Sequence, residues 1–420
     1  MTTSVPKRPC IEHNRIQSIR NMVLCVLSAE VRQRHEPLYC VDVLDKSGQS
    51  GIIWKSALKD QIHVTIADRE IDDSLKSNLD TYSLLCRDLP LDINRIPGDP
   101  MEPQHVNELF IAKCSANVVL HMEAFDFVNM NPNQHLVNVL DSAVMNLKHN
   151  GILCVSSTDI SSKFTRTAHV IHRHYGASVI KTSYMKELAL RIVIANIVRS
   201  CAKCNKGIDV LLSVCAHDNF LIVVRILRGA KEGDSCIDKI VPVLHCQICE
   251  ERVFHPNTLS PQEDPYSLLP CSCNKNNPGK TAVILGPAWS GKLFNVSFLD
   301  SVLHGCKDLD WNFSDNFSIE TLMEEAKCPN CSLPEDNNEE PDKKKTKLSP
   351  TEEPMPPFYY NLHAMKLKSV EHPKFSRLLE YLRQDGYKCS RTHLDVYGVR
   401  TNATLKQITD IMYKYCKQKT

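Results

Sequence analysis

The chain has 420 residues, 42% of them hydrophobic and 24% charged, with a formal net charge of +1. That length suffices for roughly two or three domains with cores of their own, and the balance is that of a soluble globular protein. No apolar run is long enough to span a bilayer, MTTSVPKRPCIEHNR lacks the apolar centre of a secretory signal, and a polyanionic partner has to be met by local basic patches. The nineteen cysteines therefore read as reduced thiols with some metal ligation, in a cytosolic or nuclear protein. Apolar residues at three- and four-residue steps predict a helix over 10–33. YCVDVLD (39–45) and QIHVTIAD (61–68) read as strands, the first followed by the turn-forming KSGQSG. A polar, Pro-containing stretch from about 87 to 108 reads as a loop.

EAFDFVNM (123–130) and GILCVSSTD (151–159) are further strand candidates, and NQHLVNVLDSAVMNLKHNG between them is a helix with Gly151 just past its end. Residues 183–200 form a helix apolar on most sides, and 208–229 give two consecutive strands around Ala-His-Asp-Asn. Strands alternating with helices and closing in a hairpin predict an α/β Rossmann-like sheet, mostly parallel with an antiparallel edge. We assign 1–230 to this domain and the rest to an α+β C-terminal domain, with 231–332 its cysteine-rich part, 333–357 a low-complexity linker and 358–420 a compact helical, RNA-binding part.

Ligands of doubly wound sheets bind at the carboxyl ends of the strands. Three features collect there: the small residues of the SGQSG turn, with Gly48 and Ser50; Asp68, an acid where ribose hydroxyls are commonly bound; and Asn131-Pro132 in FVNMNPNQH. No GxGxxG seats a pyrophosphate, so the layout fits S-adenosylmethionine better than a dinucleotide. Asn-Pro is a common turn dipeptide. It is also a means of holding an exocyclic amine, because the Asn side-chain carbonyl and the backbone carbonyl beside Pro can accept its two N–H bonds while Pro stiffens the turn.

Cys246-Gln-Ile-Cys249 and Cys271-Ser-Cys273 make a tetrahedral thiolate set about two dozen residues apart, in polar, Pro-rich sequence ill suited to burying free thiols. Cys201/Cys204 and Cys328/Cys331 also have ligand spacing. Four thiolates leave a metal no open position, which excludes a zinc hydrolase. KFTRTAHVIHRHYGASVIK (163–181) carries Lys163, Arg166 and Arg173 and no acid. From residue 361 onward twelve Lys or Arg, Arg391 among them and with His393 nearby, stand against five Asp or Glu. Both stretches suit phosphate contacts, or are solvated basic faces. KKKTK (343–347) reads as a nuclear localisation signal or a tether.

GILCVSSTDISS, HYGA, YMKELALRIVIANI, VLLSVCAHDNFLIVVRI, LGPAWSGKLFN and GYKCSRTHLDVYGVRTNA, in that order, resemble the tRNA (guanine-N2)-dimethyltransferase family, and within it most a vertebrate paralogue. The resemblance runs from about Asn14 to about Asn402 and implies methyl transfer from S-adenosylmethionine to a guanine amine at the junction of the D and anticodon arms, at position 26 or a neighbour. It implies that Arg15, Asp68 and Ala116 contact the cofactor, that Asn131-Pro132 stands at the catalytic Asp-Pro, and that a structural zinc sits in the cysteine-rich part. It also shows departures. Ser50 and Ser115 stand where the family has a cofactor-contacting Arg and Asp, and Asn133 replaces an aromatic that would stack on the flipped base. The expectation is a monomeric, nuclear tRNA methyltransferase with no membrane association, nucleolar or cytosolic placement being the alternatives. The rival is a catalytically silent tRNA-binding paralogue.

Overall fold

Continuous apolar runs fold as strands buried on both faces, and they define the central layer here. The computed structural model describes residues 9–71, 73–92, 94, 96–99, 104–131, 136–158, 164–216, 218–255, 265–277, 279, 282–308, 319–328, 356–365 and 373–416, of which 9–16 are described as backbone. Helix α1 (Pro9–Arg32) leads into β1 (Leu38–Val43), α2 (Gln49–Leu58), β2 (Ile62–Ala67), α3 (Ser74–Tyr82), β3 (Leu85–Asp88), β4 (Glu108–Ala112), α4 (Ala116–Met122), β5 (Phe127–Met130), α5 (Leu136–Met145) and β6 (Ile152–Ser157). Then come α6 (Ala168–Tyr175), α7 (Met185–Lys203), β7 (Lys206–Ala216) and β8 (Asn219–Arg228).

Among the described residues these eight strands form one sheet in the order β3-β4-β2-β1-β5-β6-β8-β7. All neighbours are parallel except that β8 runs antiparallel to both β6 and β7. The expected Rossmann-like sheet is present, with its order reversing between β1 and β5. The stretch read as a loop from 87 is framed by two strands, β3 and β4, that sequence reasoning missed. Helix α5 stops at Met145, short of its expected end, because the Lys206 ammonium donates to the carbonyls of Val144 (2.7 Å), Met145 (2.7 Å) and Leu147 (3.1 Å) and so ends the helical ladder.

Beyond β8 lie α8 (Ala230–Ile237) and an antiparallel sheet, β10-β9-β11, of β9 (Ile240–Cys246), β10 (Arg252–Phe254) and β11 (Ala282–Trp289), with the one-turn α9 (Cys273–Asn276) before β11. Val243, Leu285 and Trp289 join the core of the large sheet. Helices α10 (Val296–Asp308) and α11 (Ile319–Lys327) follow. The C-terminal part has the expected α+β character: the helices α12 (Phe375–Gln384) and α13 (Leu405–Tyr415) stand beside a sheet, β12-β14-β13, of β12 (Tyr360–Asn361), β13 (Cys389–Thr392) and β14 (Asp395–Thr401), whose strands the reading of 358–420 as helical missed. Its strands are short, and they are buried by a small core that includes Leu378, Val399 and Ile411 and by the helix α11. Among the described residues no helix is long and apolar enough to cross a membrane. The linker, KKKTK included, lies outside the described residues apart from its last two.

Buried charges tie these parts together. Arg400 on β14, wholly buried, reaches Glu187 on α7 at 2.9 Å and Glu325 on α11 at 2.8 Å. Arg191, one turn along α7, donates to Glu187 at 2.9 Å and to the carbonyls of Trp289 and Gly291. Burial would raise the pKa of Glu325, but His393 and Arg400 hold it down at about 2. Glu187 is held low in the same way by Arg400 and Arg191. Two carboxylates thus face two guanidiniums in the interior, and removing one partner strands a charge. Arg400→Met is expected to cost about 3–5 kcal/mol, measured by denaturant titration. The contribution of Glu325 is present above its ordinary carboxylate range and lost as pH falls through about 2. Acid titration of the wild type, monitored by tryptophan emission, is therefore expected to show a loss of stability that begins below pH 4–5, the unfolded carboxylate range of about 4.3.

Candidate active site

The loop after β1 carries the first elements of the site. Gly48 caps α2 with φ 59°, a left-handed backbone that favours glycine, and a Cβ there would also displace the end of the Leu75 side chain. Asp45 in that loop accepts from the amide and hydroxyl of Ser47 at 3.1 and 2.7 Å. Its other oxygen accepts from Arg20 Nη2 at 3.2 Å and from Ser50 Oγ at 3.3 Å. Arg20 Nη1 also donates to Gln49 Oε1, whereas Arg20 Nε is buried with no partner among the described residues.

Beneath this loop Asp42 of β1 stands opposite Asn129 of β5 in register. Asp42 accepts from Asn129 Nδ2 at 2.8 Å and from the Gly51 amide at 3.1 Å. Burial, reinforced by the charge of Asp45, pushes its pKa up to about 8. Two residues on, the half-buried Asn131 leaves β5; its amide donates to Val43 O at 3.3 Å and its Oδ1 accepts from Ser156 Oγ at 3.4 Å. A narrow cleft opens here, lined by α1 (Ile19, Arg20, Val23), Ser50, Asn129, Asn131, Ser156–Thr158 at the end of β6, and Asn219 with Phe220 of β8.

A second constellation lies beside β9. The Sγ atoms of Cys246, Cys249, Cys271 and Cys273 all fall within 4.8 Å of one another. Tetrahedral coordination with Zn–S bonds of about 2.3 Å needs sulfurs about 3.8 Å apart, so the four thiols could hold a metal ion.

Comparison with known proteins places this architecture. The family of N2,N2-dimethylguanosine tRNA methyltransferases matches residues 9–328 and 315–413. The chain belongs to this family. The tRNA (guanine(27)-N(2))-dimethyltransferases of Bos taurus and Homo sapiens are each 36% identical to it over 94% of its length. The chain spans 58% and 59% of those two proteins. A tRNA (guanine(26)-N(2))-dimethyltransferase of Methanosphaera stadtmanae is 26% identical over 74% of the chain and 72% of its own length. The structure of Trm1 from Pyrococcus horikoshii with S-adenosyl-L-methionine superposes with a TM-score of 0.67 at 19% identity, covering 99% of this chain and 97% of that one. The shared fold is that of the dimethyltransferase family over nearly the whole chain.

Against this family fold the expected residues sort as follows. Ser50 and Asn131 line one cleft. Asp68 follows β2, buried, accepting from the Glu70 amide at 2.9 Å, and Ser115 and Ala116 begin α4 after β4. All stand at the carboxyl edge of the sheet, with Asp68 one strand and the Ser115-Ala116 pair two strands away from β1. Arg15 is on α1, and its side chain, like all of Pro132, Asn133 and Lys163, lies outside the described residues. Cys328 is buried at the end of α11, apart from the four-thiol cluster, and its partner Cys331 is outside the described residues.

Arg166 is exposed, as is Arg173 on α6, whose buried residue is Ile171. Arg391 is exposed over the Phe375 ring at 4.7 Å. His393 corrects the expectation of an RNA contact. Its side chain is 2% exposed, with Nδ1 2.6 Å from Glu325 and Nε2 accepting from the Cys215 amide at 3.2 Å. A residue with both ring nitrogens engaged inside the protein has nothing left for a phosphate.

Sequence reasoning missed Arg20, Asp45, Ser156 and Phe220 in the site. It also missed Asp42 and Asn129, although a polar residue inside an apolar strand is itself a signal, since burial without a hydrogen bond is costly. Asp42 retains its proton in the folded chain far above its unfolded pKa, so its favourable effect is complete below about pH 4 and is lost as pH rises through about 8. Raising pH from 5 to 9 (a range set by about 4 and 8) is expected to destabilise wild type more than Asp42→Asn; parallel melting curves of the two proteins check it.

Proposed function

We propose that this chain is an S-adenosylmethionine-dependent tRNA (guanine-N2)-dimethyltransferase. The observation that carries the reading is Asn131, held at the carboxyl end of β5 beside the reversal of strand order, with its side chain in the cleft. S-adenosylmethionine, when bound, supplies a methyl group on a sulfonium centre. Asn131 Oδ1 accepts an N–H of the guanine amine, and the carbonyl beside Pro132 accepts the other, aiming the nitrogen lone pair at that methyl. With the donor bound, the new N–C bond would form as the S–C bond breaks, and the amine proton would leave to water or a carbonyl. Asn131 already accepts from Ser156, so its amide plane is set before substrate arrives.

Asp68, Ser115 and Ala116, with Arg15, Gly48 and Ser50, hold the donor along the carboxyl edge of the sheet. The target is the guanine at position 26 or 27 of tRNA; the names of the 36%-identical mammalian relatives favour 27. Lys163, Arg166, Arg173 and Arg391 contact tRNA phosphates, and the protein acts as a monomer in the nucleus. The metal is zinc, held by Cys246, Cys249, Cys271 and Cys273 in a closed structural site.

Asn131→Ala is expected to reduce methyl incorporation into undermethylated tRNA roughly hundred-fold, read with radiolabelled donor. Undiminished incorporation overturns the catalytic assignment, and tRNA binding without incorporation in wild type favours the silent-paralogue reading. Elemental analysis is expected to find zinc in the purified wild type and to find it depleted in Cys249→Ser, with a lowered melting temperature. Full zinc retention in the variant removes Cys249 from the site.

A further inference from the structure

We propose that Arg20 on α1 binds the carboxylate of the methyl donor's amino-acid end. The inference rests on the donor reading above and adds a residue to it. Arg20 is the cationic side chain among the described residues lining the cleft that also holds Asn131. Its guanidinium is held on two sides, by Asp45 Oδ2 at 3.2 Å and by Gln49 Oε1. The Nε–H is left buried and without a partner among the described residues. A buried donor without an acceptor is a cost the fold bears unless a ligand relieves it. The planar fork of arginine matches a carboxylate, and a fork already fixed by two anchors loses little freedom on binding.

The electrostatics fit the same ligand. Arg20 and Asp45 form an ion pair, with side chains 17% and 5% exposed. An isolated anion added there would leave an uncompensated negative charge. An α-amino acid head is a zwitterion, so its ammonium balances its carboxylate and the site stays neutral. Ser50 carries no charge, but its hydroxyl shares the Asp45 oxygen that Arg20 uses. A cation introduced at position 50 would therefore reach the same corner of the cleft.

The test uses calorimetry on the full chain with two ligands, S-adenosylhomocysteine and 5′-methylthioadenosine, which lacks the amino-acid head. Wild type is expected to bind the first more tightly. Arg20→Gln is expected to lose affinity for S-adenosylhomocysteine roughly ten- to hundred-fold, as expected for a charge-assisted hydrogen bond, and to bind methylthioadenosine as wild type does. Adding Ser50→Arg to Arg20→Gln is expected to restore the preference. Equal loss for both ligands would make Arg20 a brace for the loop and overturn the proposal, as would no loss for either. A wild type that binds methylthioadenosine as tightly as S-adenosylhomocysteine also overturns it, leaving the donor reading standing. A wild type that binds neither overturns the donor reading itself.

Discussion

The arrangement of the parts depends on the charge network around Arg400. Its guanidinium joins β14 to α7 and α11, and it donates to the carbonyl of Pro356 at 2.9 Å as well. Buried ion pairs add little net stability over a well-packed apolar cluster, but they tolerate few geometries. Their contribution here is to fix position. Through Glu325 and His393 the network reaches the Cys215 amide near the end of β7. Because β7 is antiparallel to β8, and β8 to β6, that end lies on the carboxyl edge of the sheet, where the cleft opens. The C-terminal sheet is thus registered by hydrogen bonds against the edge that carries the candidate site, so the length of the linker before it does not set where Arg391 sits.

The cleft depends in turn on a polar seam between β1 and β5. Strands buried on both faces normally exclude ionisable groups, and Asp42 is admitted because it is largely neutral near pH 7 and hydrogen-bonded at both oxygens. The seam runs from Asn129 through Asp42 to the Gly51 amide at the start of α2. Asp45, which helps to keep Asp42 protonated, also bonds Arg20 and Ser50. The helix that precedes the sheet, the loop after β1 and the strand bearing Asn131 are therefore coupled through a few contiguous hydrogen bonds.

These couplings explain what could be read in the sequence. LYCVDV, IHVTIA and ILCVSS announce buried parallel strands because both faces are mostly apolar, and α7, apolar on most sides, announces its burial. LCRD of β3 is a four-residue edge strand exposed along its length, with no periodic signal to offer. CSRT of β13 is polar, and its burial comes from α11 and the small C-terminal core. The four cysteines were legible as a group because two close pairs at ligand spacing stand out in the sequence, and the fold brings their sulfurs together. Charged residues were not: His393 and Arg391 lie two apart in one basic stretch, yet one is buried against Glu325 and the other is exposed. Only the position of Glu325, far away in sequence, decides which is which.

The two arginines at the centre of this structure make the distinction that charge alone cannot. Arg400 has every nitrogen engaged by a carboxylate or a carbonyl, and a guanidinium so saturated has no capacity for a ligand. Arg20 is also anchored, but by an acid and an amide that leave one N–H buried and unmet among the described residues, in a side chain that lines a cleft. A fold gains nothing from that omission on its own account. It is accounted for if the missing acceptor arrives with the ligand, and the neutral pairing with Asp45 selects an acceptor that carries its own compensating charge.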